Sequence, residues 1–278
     1  MGKIITVWSN SKKSGRTVFT YLLAQQMMEQ CERELSIIVC CLNYKYSGLY
    51  KLLGVKPTEI GLEDIANHML GRQQMDEGLL KAIPKVNGIS FLGSFKSTNT
   101  FTQKYIEQYK QTFLLLKDIY DIVLVDTAAG RENSLTNYLL QASSVVMDLM
   151  TQDVDSLMEQ GGSLVNEKEA FYTQIEINIL NQYRDIYPRS TDVKEKLSLS
   201  EISVLPYCKT LQEMKNRNNL LLYQQHDTEY NHSMRALTKR VISDLGIENK
   251  QTSSVKEMGI SSLGFINRLK LRSSRSST

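Results

Sequence analysis

Short apolar runs alternate with longer stretches of helical period along most of the chain, and this alternation predicts its architecture. The clearest run is Asp121–Asp126, DIVLVD, four aliphatic residues between two carboxylates. Lys3–Trp8 (KIITVW) and Ser36–Leu42 (SIIVCCL) are apolar at successive rather than alternating positions, as strands buried on both faces are. Gly88–Gly93, a segment within Ala142–Met150, Gln174–Leu180 and Ile202–Leu205 complete the predicted strands. Helical spacing predicts helices over Thr17–Glu34, Gly61–Leu70, Thr102–Ile119 and Tyr230–Leu245, while Lys209–Asn219 reads as a solvated helix face. Strands alternating with helices predict an α/β fold: one domain over 1–247, with a mostly parallel sheet and helices on both faces.

Composition narrows the picture only a little. A net charge of +3 over 278 residues is too small to mark a nucleic-acid binder by itself. The four cysteines, Cys31, Cys40, Cys41 and Cys208, have no metal-ligand spacing and read as small buried hydrophobes. The scattered His68, His226 and His232 read as surface or packing residues. The first residues, MGKIITVW, carry no signal-peptide pattern, and no apolar stretch approaches the ~20 residues that span a bilayer. The expected location is the cytoplasm.

Chemistry enters between the first strand and the first helix. Ser9–Arg16 is a polar loop that ends in Gly15, Arg16 and Thr17, a small residue, a cation and a hydroxyl at the mouth of a helix. A phosphate site needs this order. Backbone N–H groups and the helix N-terminus wrap the phosphates, the cation reaches the β- and γ-phosphates, and the hydroxyl joins the Mg²⁺ shell. The match to G-x-x-x-x-G-K-[ST] is imperfect, because Asn10 stands at the first glycine and Arg16 at the lysine. An ordinary polar strand-to-helix turn would look much the same. Asp126 supplies the second element, a carboxylate at the C-terminal end of a strand, followed by TAAG; it would hold Mg²⁺ through water, or simply cap the strand.

Taken together, SNSKKSGRTV and DIVLVDTAAG resemble the deviant Walker A loop, KGGxGK[ST], and the aspartate strand of the MinD/ParA ATPases. YKLLGV (Tyr50–Val55) and GLEDI (Gly61–Ile65) are similar to segments that follow the second strand in that family. The resemblance implies a nucleotide site of Ser11, Lys12, Lys13, Ser14, Gly15, Arg16, Thr17 and Val18, with ATP and Mg²⁺ as cofactors and Thr17 and Asp126 at the metal. It also implies that Asn181 reads the adenine, with Pro206 and Tyr207 beside the base. The departures bear on chemistry. The family's signature lysine falls on Ser11, its two glycines on Lys12 and Lys13, and its two aspartates after the second strand on Cys41 and Asn43. Asn43 cannot take a proton from an attacking water. No residue is therefore assigned a catalytic role, and weak or absent hydrolysis is expected. The chain thereby resembles degenerate members of the family such as the TadZ/CpaE group, which act as localisation factors, and the receiver-like domain common in that group is not expected in it.

From about Glu248 the chain changes character, to a polar, Ser-rich tail over 248–278. Within it LGFINRLKLR would place Phe265, Ile266 and Leu269 on one helical face, with Arg268, Lys270 and Arg272 around it. This pattern is similar to the C-terminal membrane-targeting helix of MinD. It suits contact with an anionic membrane surface at the inner face of the cell membrane, or docking on this chain or on a protein partner. DNA is a weaker candidate, since phosphate contacts do not need apolar residues. The leading expectation is an ATP-binding localisation or scaffolding pseudo-ATPase that forms a homodimer and recruits a protein partner to a membrane or cell pole. The alternative is an active ATPase switch for positioning or partition.

Overall fold

The computed structural model describes residues 2–42, 48–54, 60–68, 77–93, 106–130, 133–159, 174–223 and 228–248. The expected tail contacts Phe265, Ile266, Arg268, Leu269, Lys270 and Arg272 lie outside the described residues, as does Asn43. Among the described residues no helix is long and apolar enough to cross a membrane.

The strands are β1 (Lys3–Trp8), β2 (Ile37–Cys41), β3 (Lys85–Val86), β4 (Ile89–Gly93), β5 (Ile122–Asp126), β6 (Val145–Met150), β7 (Ile175–Tyr183) and β8 (Ser203–Pro206). They form one sheet in the order β3-β4-β2-β5-β1-β6-β7-β8. Every pairing is parallel except that of β3 with β4. The uniform apolar character of β2, β4, β5 and β6 follows from position: every residue of each is buried, because helices cover both faces.

On one face lie α1 (Arg16–Gln30), α2 (Gly48–Leu53) and α9 (Glu229–Asp244), packed over Ile5, Val7, Val39 and Leu124. On the other lie α3 (Leu62–His68), α5 (Ile106–Ile119) and α6 (Ser134–Ala142), packed over Ile4, Ile38, Cys40 and Val123. The remaining described helices are α4 (Glu77–Ala82), α7 (Ser190–Lys196) and α8 (Lys209–Asn216). Asn133 caps α6 by accepting from the Leu135 N–H at 2.8 Å.

Several elements differ from the expected ones, and helices α2, α4, α6 and α7 are additions. The two-residue strand β3 is an addition, pairing across the Asn87–Gly88 turn, where both residues have positive φ. Asn181 lies inside β7 rather than after it, because the strand continues past a register irregularity between Leu180 and Tyr183. And α1 ends at Gln30, short of Glu34, with the next residue, Cys31, extended. The polar link after it is captured by Asp121, which accepts from Arg33 (2.9 Å), from the Ser36 N–H (2.9 Å) and from the Ser36 hydroxyl (2.7 Å).

The Arg33 guanidinium donating to it holds the Asp121 carboxyl at about 2; the Ser36 contacts help, against partial burial. A carboxyl depressed below its unfolded value, about 3.9, contributes stability that is complete above that pH and is lost as the pH falls toward 2. The urea midpoint should therefore fall between pH 4 and pH 2 by a smaller amount in Asp121→Asn than in the parent chain. Equal falls would remove Asp121 from the acid response.

Candidate functional site

The winding of the sheet reverses at β1. One crossover leaves it for β2, and later strands extend the sheet on its other side from β6 to β8. In open α/β sheets such a reversal opens a crevice at the C-terminal strand ends, where ligands bind. Here the crevice holds the loop Ser9–Gly15, which joins β1 to α1, and the end of β5.

The loop is built for a tight path. Lys13 has φ 64° and Gly15 φ 88°, both in the left-handed region. A Cβ on Gly15 would meet Asn181 Nδ2 at 2.8 Å and Gln182 Nε2 at 3.0 Å, so the position requires glycine on conformation and on space. Lys13 carries the same kind of backbone with a side chain, and both it and Lys12 project into solvent. Ser11 stays within the loop. Its N–H donates to Ser9 Oγ at 3.2 Å, and its carbonyl accepts from Arg16. The N-terminus of α1 has no side-chain cap and no acid in its first turn. Its first N–H groups and positive dipole end thus face the loop uncompensated, an arrangement suited to an anion.

Arg16 and Thr17 both reach Asp126. Thr17 Oγ1 donates to Asp126 Oδ2 at 2.5 Å, and the Cys41 thiol donates to the same oxygen at 3.2 Å. Arg16 Nε stands 3.6 Å from Asp126 Oδ1, while its Nη1 donates to the carbonyls of Ser9 and Ser11, each at 3.1 Å. Burial pushes the Asp126 carboxyl up; the charge of Arg16 and the Thr17 and Cys41 donors pull it back. A threonine hydroxyl and a carboxylate side by side form the hard-oxygen pair that Mg²⁺ takes, directly or through water. The donor set therefore fits the metal, and the loop with its uncapped helix fits a phosphate chain. When bound, Mg²⁺ would supply charge neutralisation beside the phosphates.

Next to Gly15 a narrow cleft opens between α1, β7, β8 and α8. It is lined by Val18, Asn181, Pro206 and Tyr207, and also by Gln182 and Lys215. The structure thus brings together Ser14, Gly15, Arg16, Thr17, Val18 and Asp126 with Asn181, Pro206 and Tyr207, residues far apart in sequence. It leaves Lys12 and Lys13 on the outer rim. Asn181 Nδ2 donates to Ser14 O at 2.9 Å, and Gln182 Nε2 to the same carbonyl at 3.3 Å. Arg184 stacks over the Tyr207 ring at 4.1 Å.

Several of these partners escape sequence reasoning. Gln182 is one: its φ of 57° in the β7 irregularity turns it onto the loop, and no spacing announces that. Cys41 is another. Its register places it opposite Asp126, which only the pairing of β2 with β5 reveals. The loop after β5 is also tied in, by Gly130 N–H to Ser9 O at 3.1 Å and by Trp8 Nε1 to Gly130 O at 3.3 Å.

No family model matches the chain, and no curated protein matches it in sequence. Solved structures do match in shape. A ParA family ATPase from Chlorobium tepidum TLS aligns at TM-score 0.71 and 14% identity, over 86% of this chain and 98% of its own. The Pyrococcus furiosus cell division ATPase MinD aligns at 0.67 and 15%, over 87% and 99%. The septum site-determining protein MinD with Mg-ADP, from Pyrococcus horikoshii OT3, aligns at 0.66 and 16%, over 88% and 98%. Identity this low speaks for fold alone, and the chain has the fold of the ParA and MinD P-loop ATPases.

Proposed function

We propose that this chain binds ATP with Mg²⁺ at the loop Ser11–Val18, and that it works as a MinD/ParA-like localisation or scaffolding protein with weak or absent hydrolysis. The observation that carries the reading is the contact of Thr17 with Asp126 at 2.5 Å, in front of an uncapped helix N-terminus. That pairing unites the two sequence elements of a phosphate and metal site. Arg16 is the phosphate-facing cation, Thr17 and Asp126 hold the metal, and Asn181, Pro206 and Tyr207 border the base. The solved relatives in shape include one with Mg-ADP, which supports the choice of cofactor.

Weak turnover follows from Asn43, which cannot take a proton from an attacking water, and from what stands at two further positions. Ser11 has no charge to place on a neighbouring phosphate, and Cys41 replaces a carboxylate with a thiol turned onto Asp126. Lys12 and Lys13, exposed on the rim, remain available to a second copy across a nucleotide-bridged homodimer. The basic, apolar tail over 248–278 would then carry a protein partner to an anionic membrane surface, with two anchors per dimer acting by avidity.

Calorimetric titration with Mg-ATP and Mg-ADP, with phosphate release followed in the same samples, tests this directly. Binding without turnover is the expected result. Rapid turnover would favour an ATPase switch with Lys12 or Lys13 recruited to catalysis, and absence of binding would leave the fold without its nucleotide.

A further inference from the structure

We infer that Cys41 is a metal-selecting residue, and that its sulfur turns the Thr17–Asp126 site toward thiophilic divalent cations of the Zn²⁺ class at the expense of Mg²⁺. The inference rests on the nucleotide-site reading, with Thr17 and Asp126 facing the metal. Cys41 is the last residue of β2 and Asp126 the last of β5. The two strands pair in parallel with these residues in register, at the strand ends that open on the crevice. The Cys41 thiol and the Thr17 hydroxyl meet on one atom, Asp126 Oδ2, at 3.2 Å and 2.5 Å. The sulfur is therefore one of three groups converging on a point. Cys41 is 1% exposed and Asp126 3%, while Thr17 is half-buried and faces the crevice side.

The donor set decides which cation it suits. Mg²⁺ demands a near-octahedral shell of oxygens, whereas thiolates select Zn²⁺ and other soft cations. Among the described residues there is no group of three or more histidines, cysteines and carboxylates placed to hold a metal. A cation here draws on Asp126, Thr17 and Cys41, with water or phosphate oxygens filling the rest of its shell. One sulfur in so small a set weighs heavily on preference. With Mg²⁺ only the two oxygens bind, and the neutral thiol contributes nothing to its charge. With Zn²⁺ or Cd²⁺ the thiol releases its proton to solvent and the sulfur binds as thiolate, adding one negative charge. That charge counts for more here because Arg16 Nε lies 3.6 Å from Asp126 Oδ1, so any cation competes with a guanidinium for one carboxylate. Zn²⁺-class cations exceed Mg²⁺ at most sites of mixed ligands, so the sulfur is judged by what its removal does to the preference.

The test uses the full chain carrying Cys208→Ser as its parent, because Cys208 is the one cysteine that is not buried. Cd²⁺ alone is titrated and followed by the ultraviolet sulfur-to-cadmium charge-transfer band; calorimetry with ATP then gives the Kd in Cd²⁺ and in Mg²⁺. One saturating Cd²⁺ site with the band is expected. Cys41→Ser, close to the thiol in size, should remove the band and weaken Cd²⁺ by about 10- to 100-fold. Cys41→Asp should also remove the band and shift the ratio of the two ATP Kd values toward Mg²⁺. Thermal melts report whether each variant folds. A band that survives in Cys41→Ser, a parent that binds Mg-ATP but shows no band with Cd²⁺, or a ratio unmoved in both Cys41 variants overturns the inference while the nucleotide site stands. If the parent binds neither Cd²⁺ nor Mg-ATP, the site reading falls and takes this inference with it.

Discussion

Arg16→Ala should lower ATP affinity by at least about 100-fold, measured by calorimetry with Mg-ATP. The guanidinium does two things at once. It donates to the Ser9 and Ser11 carbonyls and so sets the path of the loop, and it places positive charge 3.6 Å from Asp126 at the head of the proposed phosphate site. One charge-assisted hydrogen bond to a phosphate contributes about 1.5–3 kcal/mol, so its loss together with a loosened loop corresponds to about two orders of magnitude in Kd. Asp126, 3% exposed, would also lose its nearest cation. Arg16→Lys keeps the charge without the planar fork and should retain binding within about tenfold. Unchanged affinity in Arg16→Ala would remove the loop from the phosphate site.

Phe113→Ala should cost about 3–5 kcal/mol of folding stability, read from urea denaturation at pH 7. Phe113 is fully buried at the centre of α5, among Leu62, Ile65, Leu116, Val123 and Leu139. Apart from Leu116 of the same helix, these come from two further helices and a central strand, so the cavity left by the ring is walled by rigid elements that cannot collapse into it. Because Phe113 lies on the face of the sheet opposite α1, nucleotide affinity at low temperature should change far less than stability. A loss of under about 1 kcal/mol would mean that α5 is held by other contacts.

The sequence made some of this plain and hid the rest for physical reasons. The central strands were legible because burial on both faces leaves an uninterrupted aliphatic run, as in Ile122–Val125. Strand β3 was not, since Lys85 and Val86 pair only through a turn and carry no periodicity. The candidate site was legible as far as residue type and order allow: Gly15, Arg16, Thr17 and Asp126 stood out as candidates, and the structure brings them together. Direction is what sequence does not carry. Nothing in KKSGRT says that Arg16 turns inward to Ser9 and Ser11 while Lys12 and Lys13 turn out. The resemblance gave Asn181 an adenine-reading role, but the donation of its amide to Ser14 O, shared with Gln182, depends on an irregular strand end that no motif describes.

Trp8 gives the molecule an optical consequence. It is the only tryptophan in the chain, 2% exposed, packed on Leu140 and Val146, with its indole N–H on the Gly130 carbonyl. It immediately precedes Ser9 and is tied to the loop that follows Asp126, so both flanks of the crevice meet at one chromophore. Its emission should therefore be blue-shifted in the folded chain, move to longer wavelength on unfolding, and change in intensity when either loop rearranges around a ligand. The protein carries an intrinsic, label-free fluorescence signal at the site whose occupancy most needs to be followed.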